Sequence, residues 1–430
     1  MSTATDVTTA PAPTGAPGEV CPTRFKYWER KDLPQWQRRR ALFRKLTGHD
    51  LFPTDEQARM LCEDQFAGDP VAERFVAEVF FGKEFGHRKG RAMLDQALDH
   101  GIETVPEAPE SMRELFAELE TVPEWVDRDL VEQGAAVWRR WGTMLFSVAG
   151  AITLEIYTEG AVAMPLSLSG GYAGDNALRR FLETSKFWID VSQPGQLFEK
   201  NSQARKTAMQ VRVMHVAVRK RVGEHPEWDF DGWGLPISQT YEQMTQIGGA
   251  VAPSLMLWLA GVQTTPKEMR ALIHFNRYMG HLLGVQPRWA PETILEQVQT
   301  LMMTTAARSY DAGAAGKELI ESFPRAFAPR EGQKGLKRLR AAYNYRIYSA
   351  YCRLWMAPET YKMYDMPPAF PWLLIIAARW PLMTTVELLR RLPVLKELHG
   401  NLMDAHRRQW WEAQMEGRQA EFDASSSLRR

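Results

Sequence analysis

The sequence predicts an all-α protein, and three observations support this prediction. Almost every periodic segment repeats its apolar residues at i, i+3 and i+4, the spacing of one helix face. Several of these segments begin with Pro or Thr, which are typical of the first residues of a helix. No run of alternating apolar and polar residues is followed by a hairpin turn, so no strand is predicted.

The helical segments follow one another along the chain with short joints between them. The first of them, TDEQARMLCEDQF, opens with Thr54 as its predicted N-cap and has an acidic first turn. Joints such as EHPEWDFDGWGLP and MPPAFP are expected to end helices. Helices are predicted on the same grounds for APESMRELFAELE, DNALRRFLETSKFWIDV, VRVMHVAVRKRV, TPKEMRALIHFNRYMGHLL, APETILEQVQTLMMTTAA, KGLKRLRAAYNYRIYSAYCRLW and NLMDAHRRQWWEAQM.

We expect one all-α domain over residues 23–420, between two flexible ends. Residues 1–22 are rich in Ala, Thr, Pro and Gly and have neither a basic start nor an apolar core. They therefore resemble a disordered leader and not a signal peptide, and a cytoplasmic location is expected. Residues 421–430 are expected to be a flexible tail. The residues specify no oligomeric state, and a monomer is the simplest expectation.

Composition and charge exclude several classes of protein. The chain has 430 residues, of which 45% are hydrophobic and 24% charged, as is usual for a globular protein with a full core. Lys plus Arg is 53 and Asp plus Glu is 52, so no nucleic acid is expected as a partner. Cys21, Cys62 and Cys352 are too few and too scattered for a disulfide framework, which favours a reducing compartment.

Two apolar stretches need an explanation. GGAVAPSLMLWLAGV (248–262) has 15 residues, short of the roughly 20 that a membrane helix needs, so a buried core helix is expected. FPWLLIIAARWPLM (370–383) is interrupted by Arg379 and prolines. Core packing is expected for it, with contact to a membrane surface or an apolar ligand as the alternative. No transmembrane span is therefore predicted.

The common signatures of nucleotide, zinc and serine-hydrolase sites are missing from the sequence. GxGxxG, GxxxxGK[ST], HExxH and GxSxG do not occur. The glycine-rich SGGYAGD (169–175) has no lysine and no clear preceding strand, so it is interpreted as a turn that enters a helix.

The segment VRVMHVAVRKRV (211–222) has an unusual mixture on one helix face. Arg212, His215 and Arg219 share this face, and valines lie beside them. A buried guanidinium without a partner is costly, and a surface helix would not carry so many valines. A haem would satisfy all three residue types, since imidazole binds iron, valines pack on the ring and arginines pair with the carboxylates. The alternatives are an interface helix whose histidine hydrogen-bonds a neighbouring element, or a haem-free scaffold in which this face pairs with acidic residues.

A second helix, DNALRRFLETSKFWIDV, carries further candidate residues. Arg180 and Thr184 lie four residues apart on one stripe, with Glu183 beside them. A cation and a hydroxyl at this spacing could contact the edge of the same ligand. A solvated amphipathic helix explains the pattern equally well.

Four motifs in this order resemble a known family. They are Arg180-x-x-x-Thr184, VRVMHVAVR, WGLPISQTYEQMT (233–245) and HFNRYMGHLLGV (274–285). Over about 141–305 the chain resembles the family that contains latex clearing protein, the rubber oxygenase, and the fungal MpaB oxygenase. The resemblance implies a globin-like helical haem b core with additional peripheral helices. It also implies His215 as the proximal iron ligand, Arg180 and Thr184 on the distal side, and Arg212 and Arg219 flanking the histidine.

The function implied is that of a haem-dependent oxygenase, with O2 cleaving C=C bonds of an isoprenoid-like substrate. The family's distal pattern is Arg-x-x-Lys-Thr, whereas this chain has Glu183 in place of the lysine, with Lys186 as a second candidate one turn on. Glu183 is predicted to act as general base or hydrogen-bond partner. Since no export signal is recognised, a small apolar substrate inside the cell is expected instead of rubber. The alternative is a haem- or apolar-ligand-binding helical protein without turnover.

Overall fold

The structure, a computed structural model, describes residues 21–169, 176–417 and 420, and within these ranges it contains helices and no strand. The all-α prediction is confirmed. Short 3₁₀ turns at Asp64–Phe66 and Ile102–Thr104 and a π-helical turn at Val76–Phe80 accompany the helices. The helices are α1 (Tyr27–Arg30), α2 (Pro34–Thr47), α3 (Asp55–Glu63), α4 (Pro70–Phe75), α5 (Gly86–His100), α6 (Glu110–Glu120), α7 (Arg128–Ile156), α8 (Gly160–Leu168), α9 (Asn176–Val191), α10 (Gln203–Gly223), α11 (Phe230–Trp233), α12 (Gln239–Gly249), α13 (Val251–Leu259), α14 (Pro266–Leu282), α15 (Ile294–Ala307), α16 (Gly313–Arg325), α17 (Gly335–Trp355), α18 (Pro358–Met363), α19 (Trp372–Leu389) and α20 (Pro393–Met415).

The starts of three helices follow from their first residues. Thr54 accepts a hydrogen bond from the backbone N–H of Gln57, and the Gln57 side chain accepts one from the Thr54 N–H. This reciprocal pair satisfies two donors that the first turn leaves unpaired. Thr265 and Thr293 begin α14 and α15 in the same way. The predicted cap at Thr54 is therefore confirmed.

The long helix α7 organises the core. It packs against α13, α14, α17 and α20. At Gly142 the backbone has φ 57° and ψ −141°, a conformation that only glycine adopts readily, and two helical segments join there at a kink. On α7, Trp138 stacks on Trp188 of α9 with ring centroids 4.2 Å apart and donates its indole N–H to the carbonyl of Gly249. These contacts fix α9 against α7.

A second, smaller apolar cluster joins the N-terminal helices to α15. Tyr27, Trp36 and Leu61 pack there with Met303. Next to this layer Cys21 and Cys62 form a disulfide, with their Cα atoms 5.3 Å apart. Three cysteines were expected to be too few and too scattered for a disulfide framework, yet two of them, 41 positions apart in sequence, meet in the fold. The disulfide also removes the basis on which a reducing compartment was expected.

The two apolar stretches behave differently from each other. In α13, Leu257 is buried while Trp258 is 57% exposed, so one face packs in the core as expected. In α19, only Ile376 and Glu387 are buried, and the expectation of core packing is wrong for this helix. Among the described residues, α19 is long and apolar enough to cross a membrane. The pair α7–α8 also passes this test of length and composition if it is counted as one span despite its 106° bend.

The described residues cover only part of the predicted division into leader, domain and tail. Apart from residues 21 and 22, the predicted leader lies outside the described residues, and so do the predicted tail and the glycine-rich segment from 170 to 175. One apolar cluster runs from Ala72 to Met415 and includes residues from most of the helices after α3.

Candidate functional site

A cavity of about 410 Å³ lies between α8, α9, α10, α12 and α15. Its walls are mainly apolar, with a few polar side chains directed at it, as is typical of small-molecule sites. The apolar lining consists of Phe25, Ile156, Ala161, Val162, Pro165, Leu166, Phe187, Trp188, Val211, Met214, Val218, Trp233, Ile237, Met244, Met279, Leu283, Leu301 and Ala307. The polar lining includes Arg24, Glu159, Arg180, Glu183, Thr184, His215, Tyr241, Glu242, Arg308 and Ser309.

His215 lies on α10 at the wall of this cavity. Its side chain is 28% exposed, and its Nδ1 is 3.0 Å from Oε1 of Glu242 on α12. A carboxylate only accepts hydrogen bonds, so Nδ1 carries the proton and Nε2 presents its lone pair. Within the described part of the chain no hydrogen-bond partner of Nε2 is present. This is the arrangement in which a protein holds an imidazole ready to bind a metal.

Arg219 acts on the partner of the histidine. Its Nη2 is 3.5 Å from Oε2 of Glu242, the carboxylate that holds His215. Its Nε and Nη2 also donate to the carbonyls of Pro236 and Ile237, at 3.2 Å and 2.6 Å. Arg219 does not line the cavity. In this structure the guanidinium contacts protein groups and not the cavity, and the pairing of Arg219 with haem carboxylates stays a prediction.

Arg212 is likewise turned away from the cavity. Its side chain is 1% exposed and forms a forked pair with Asp69, with Nε–Oδ2 at 2.7 Å and Nη2–Oδ1 at 2.9 Å. Nη2 also donates to Glu118 at 3.2 Å. The contacts of Arg212 therefore lie within the protein, and its role toward haem carboxylates stays a prediction. Arg212 joins α10 to α4 and α6. The haem-free alternative predicted such pairing of this helix face with acidic residues.

The motif WGLPISQ, which lies between α10 and α12 in the chain, contributes Trp233 and Ile237 to the cavity wall. At Gly234 the backbone has φ 74°, and a Cβ there would lie 2.3 Å from the carbonyl oxygen of Gln65, so only glycine fits. Ile237 has φ 52°, which is strained for a β-branched residue, and its carbonyl is held by Arg219. The Gln239 side chain donates to the carbonyls of Gly68 and Gly284 and fixes the start of α12.

The residues predicted on the second helix line the same cavity as His215. Glu183 is 3% exposed and accepts from Arg179 at 3.0 Å and from Arg180 at 3.1 Å. Thr184 donates its hydroxyl to the carbonyl of Arg180. Lys186 does not line the cavity, since it pairs with Asp190 and its ammonium lies over the Trp411 ring. Glu183, and not Lys186, therefore takes the place next to the cavity.

Two carboxylates at the cavity were not predicted from the sequence. Glu242 follows WGLPISQ by three residues, one helical turn, and a one-turn extension of that motif would have found it. Glu159 interrupts an apolar stretch between α7 and α8, which was a usable signal. Glu159 accepts from the backbone N–H groups of Ser309 and Tyr310 and from the Ser309 hydroxyl. Burial raises the pKa of the Glu159 carboxyl, and these hydrogen bonds oppose the shift.

A haem fits the donor set at this site. His215 offers one imidazole nitrogen, and the apolar walls suit a flat macrocycle. The carboxylates of the haem would need cations, and three arginines line the cavity: Arg24, Arg180 and Arg308. Each of them is at present paired with a carboxylate of the protein, Arg24 with Asp229 and Asp311, Arg180 with Glu183, and Arg308 with Glu155.

Comparison with known proteins identifies the family of this chain. A family model described as "ER-bound oxygenase mpaB/B'/Rubber oxygenase, catalytic domain" matches residues 135–391, beyond the segment 141–305 on which the resemblance was noted. The chain is 24% identical to the rubber oxygenase of Streptomyces sp. (strain K30) over 206 residues, which are 46% of this chain and 47% of that protein. The chain thus matches about half the length of this relative.

A solved structure shares the fold. The structure of latex clearing protein LCP in the closed state has a TM-score of 0.63, covers 84% of this chain and 94% of its own, and is 20% identical in sequence. At this identity the likeness concerns the fold alone. The family match, however, covers more than half of the chain. The chain therefore belongs to the family of the mpaB/B' and rubber oxygenase catalytic domains.

Proposed function

We propose that this protein is a haem b-dependent oxygenase that uses O2 to cleave a carbon–carbon double bond in a small apolar, alkene- or isoprenoid-like substrate. One observation carries the proposal. His215 lines an apolar cavity of about 410 Å³ while Glu242 holds its Nδ1 and leaves Nε2 available. Membership of an oxygenase family supports the reaction class.

His215 would hold the haem through its imidazole, and Arg24, Arg180 and Arg308 would meet its carboxylates. The bound iron would supply the binding and activation of O2. Glu242 keeps the imidazole in one tautomer and one orientation, and the nearby Arg219 guanidinium stabilises the negative charge of Glu242. The apolar walls exclude water from the reacting groups.

The cavity also carries groups that can take up or release a proton. Glu159 lines the cavity, and burial raises the pKa of its carboxyl, which favours the protonated form that can donate a proton. Glu183 keeps its predicted role as base or hydrogen-bond partner, although both of its oxygens already accept from arginines. Arg180 and Thr184 lie beside it and would orient the substrate.

The substrate follows from the walls and the size of the cavity. A macrocycle would take a large share of about 410 Å³, so the remaining space fits a small molecule or a short segment of a longer one. The lining offers alkyl and aromatic contacts on α8, α9 and α12. An apolar alkene satisfies these contacts without leaving a polar group unpaired.

The absorption spectrum tests the cofactor. The purified protein, loaded with haem, should show a Soret band that shifts when the reduced sample binds CO. His215→Ala should lose the band, whereas His100→Ala, which changes an exposed histidine at the end of α5, should keep it. A full, unshifted band in His215→Ala would exclude this residue as axial ligand.

Oxygen uptake tests the reaction. The haem-loaded protein should consume O2 when a small alkene is added, and carbonyl products should appear in proportion. Haem binding without oxygen uptake over a panel of isoprenoid alkenes would favour the non-catalytic alternative. Absence of any haem binding would leave the haem-free scaffold.

A further inference from the structure

The helix α19 presents an apolar face that nothing in the described part of the chain covers. Leu374, Leu382 and Leu389 are 57%, 64% and 51% exposed and lie on one side of the helix, with Ala378 and Thr385 between them. Ten of the 21 large apolar side chains that the structure describes as exposed fall between Phe370 and Leu402. Exposed apolar area concentrated in this way marks an interaction site.

The opposite side of α19 is fastened to the protein. Glu387 is buried and pairs with Arg140 of α7 at 3.1 Å and with Arg390 at 2.7 Å. At the other end, Trp372 packs edge-on against Tyr343 of α17, which also contacts Arg379. Only 11% of the helix is buried, yet these contacts hold it along the body of the protein. Unless they break, α19 lies on a surface and does not cross a membrane.

The helix α17, which packs against α19, carries positive charge near this contact. It contains five Lys or Arg residues and no Asp or Glu. Lys337, Arg338 and Arg340 are exposed, and none of them has an ion-pair partner in the described residues. Next to them in the chain, Leu336 and Leu339 are 84% and 67% exposed. Exposed leucines among unpaired cations are typical of segments that bind the surface of an anionic membrane.

We propose that the exposed face of α19 and the first turns of α17, together called the α17–α19 face, dock this protein onto the surface of a bilayer that contains anionic lipid. The leucines would enter the acyl boundary while the cations contact the headgroups. The charge pattern argues against a second copy as the occupant, because a two-fold interface would bring this basic patch close to its own copy. The proposal does not depend on the haem or the oxygenase reaction.

Vesicle binding tests the proposal. The full chain is sedimented with vesicles of phosphatidylcholine alone and of phosphatidylcholine with 30% (about one lipid in three) phosphatidylglycerol. We expect binding to the anionic vesicles, weakened by high salt. The double variant with Lys337→Gln and Arg338→Gln should bind the anionic vesicles roughly thirtyfold more weakly, because each lost cation weakens binding by about fivefold.

Two matched leucine variants test the apolar part. Leu374→Glu with Leu382→Glu should abolish binding to the anionic vesicles. Leu42→Glu with Leu46→Glu, at positions 59% and 74% exposed on α2, should leave it unchanged. All four positions are exposed, so the helical circular dichroism signal should be kept in both variants.

Three results would overturn the proposal. The first is no binding of the wild-type protein to either kind of vesicle. The second is equal binding by the wild type and by Leu374→Glu with Leu382→Glu. The third is a concentration-dependent dimer, seen by light scattering, that these two substitutions dissociate while vesicle binding stays absent, which would assign the face to a second copy.

Discussion

Replacing Arg212 distinguishes a structural role from a role in holding haem. Arg212 is 1% exposed and its main partner Asp69 is 4% exposed, and the two form a forked pair with both distances under 3 Å. A Cβ placed on Gly284 would lie 2.1 Å from Asp69 Oδ2 and 2.6 Å from Arg212 Nε, so the chain closes over the pair and leaves no room for solvent. Arg212→Met would leave the Asp69 carboxylate buried without a cation.

The cost of this change can be estimated from the burial. Removing one partner of a buried ion pair destabilises a protein by roughly 3–5 kcal/mol, because the remaining charge has no compensation. Glu118, whose side chain is 18% exposed, can recover water, so it adds little to this figure. Asp69→Asn removes the orphaned charge. The double variant should therefore be less destabilised than the sum of the singles, with a coupling of roughly 0.5–3 kcal/mol.

Urea unfolding of the haem-free protein measures these free energies. Arg212→Lys serves as an intermediate, since lysine keeps the charge but cannot form the fork. The rate of haem loss from the folded, haem-loaded variants is measured in parallel and should match the wild type. An Arg212→Met protein with wild-type stability but faster haem loss would refute the structural interpretation and restore the role as a carboxylate partner of haem.

Three further changes test the carboxylates of the site. Glu242→Gln should weaken haem retention by roughly tenfold or more, because the charged partner of His215 is lost. Retention is measured by haem transfer to an excess of apomyoglobin. Glu224→Gln, an exposed change just after α10, is the control. Glu183→Gln should lower turnover on a true substrate if this residue is the base, and unchanged turnover would remove that role. Because burial raises the pKa of Glu159 above 4.5, the native protein keeps this proton where the unfolded chain has released it. The free energy of unfolding should therefore fall as pH rises through that window, and Glu159→Gln should lack this fall; parallel pH curves for the two proteins would contradict the argument.

The helical fold could be predicted because its signals are local. Thr54, Thr265 and Thr293 each begin a helix through hydrogen bonds to residues three positions on, and such contacts are visible in the sequence. The periodicity of apolar residues likewise shows which side chains share a face of a helix.

The partners of those faces depend on tertiary contacts, and here the sequence was insufficient. The spacing of Arg212, His215 and Arg219 places them on one face but does not say that only the histidine meets the cavity. Asp69, which holds Arg212, lies 143 residues away in the sequence. The same limit applies to Cys21 and Cys62. For α19, an apolar run interrupted only by Arg379 and prolines has no continuous polar side to show which face is buried, so its exposure could not be foreseen.

The motifs VRVMHVAVR and WGLPISQTYEQ occur together because they build one structure. The first supplies His215 and, four residues on, Arg219. The second supplies the carbonyl of Ile237, which Arg219 holds in a left-handed conformation, and one turn into α12 it supplies Glu242, which reaches His215. A strained residue of this kind costs roughly 1–3 kcal/mol and persists only where its surroundings fix it. Arg219 therefore has two connected effects, since the same guanidinium fixes the loop before α12 and stabilises the carboxylate that orients the histidine. Neither motif could place the imidazole alone, which explains why their combination predicts the site better than either does separately.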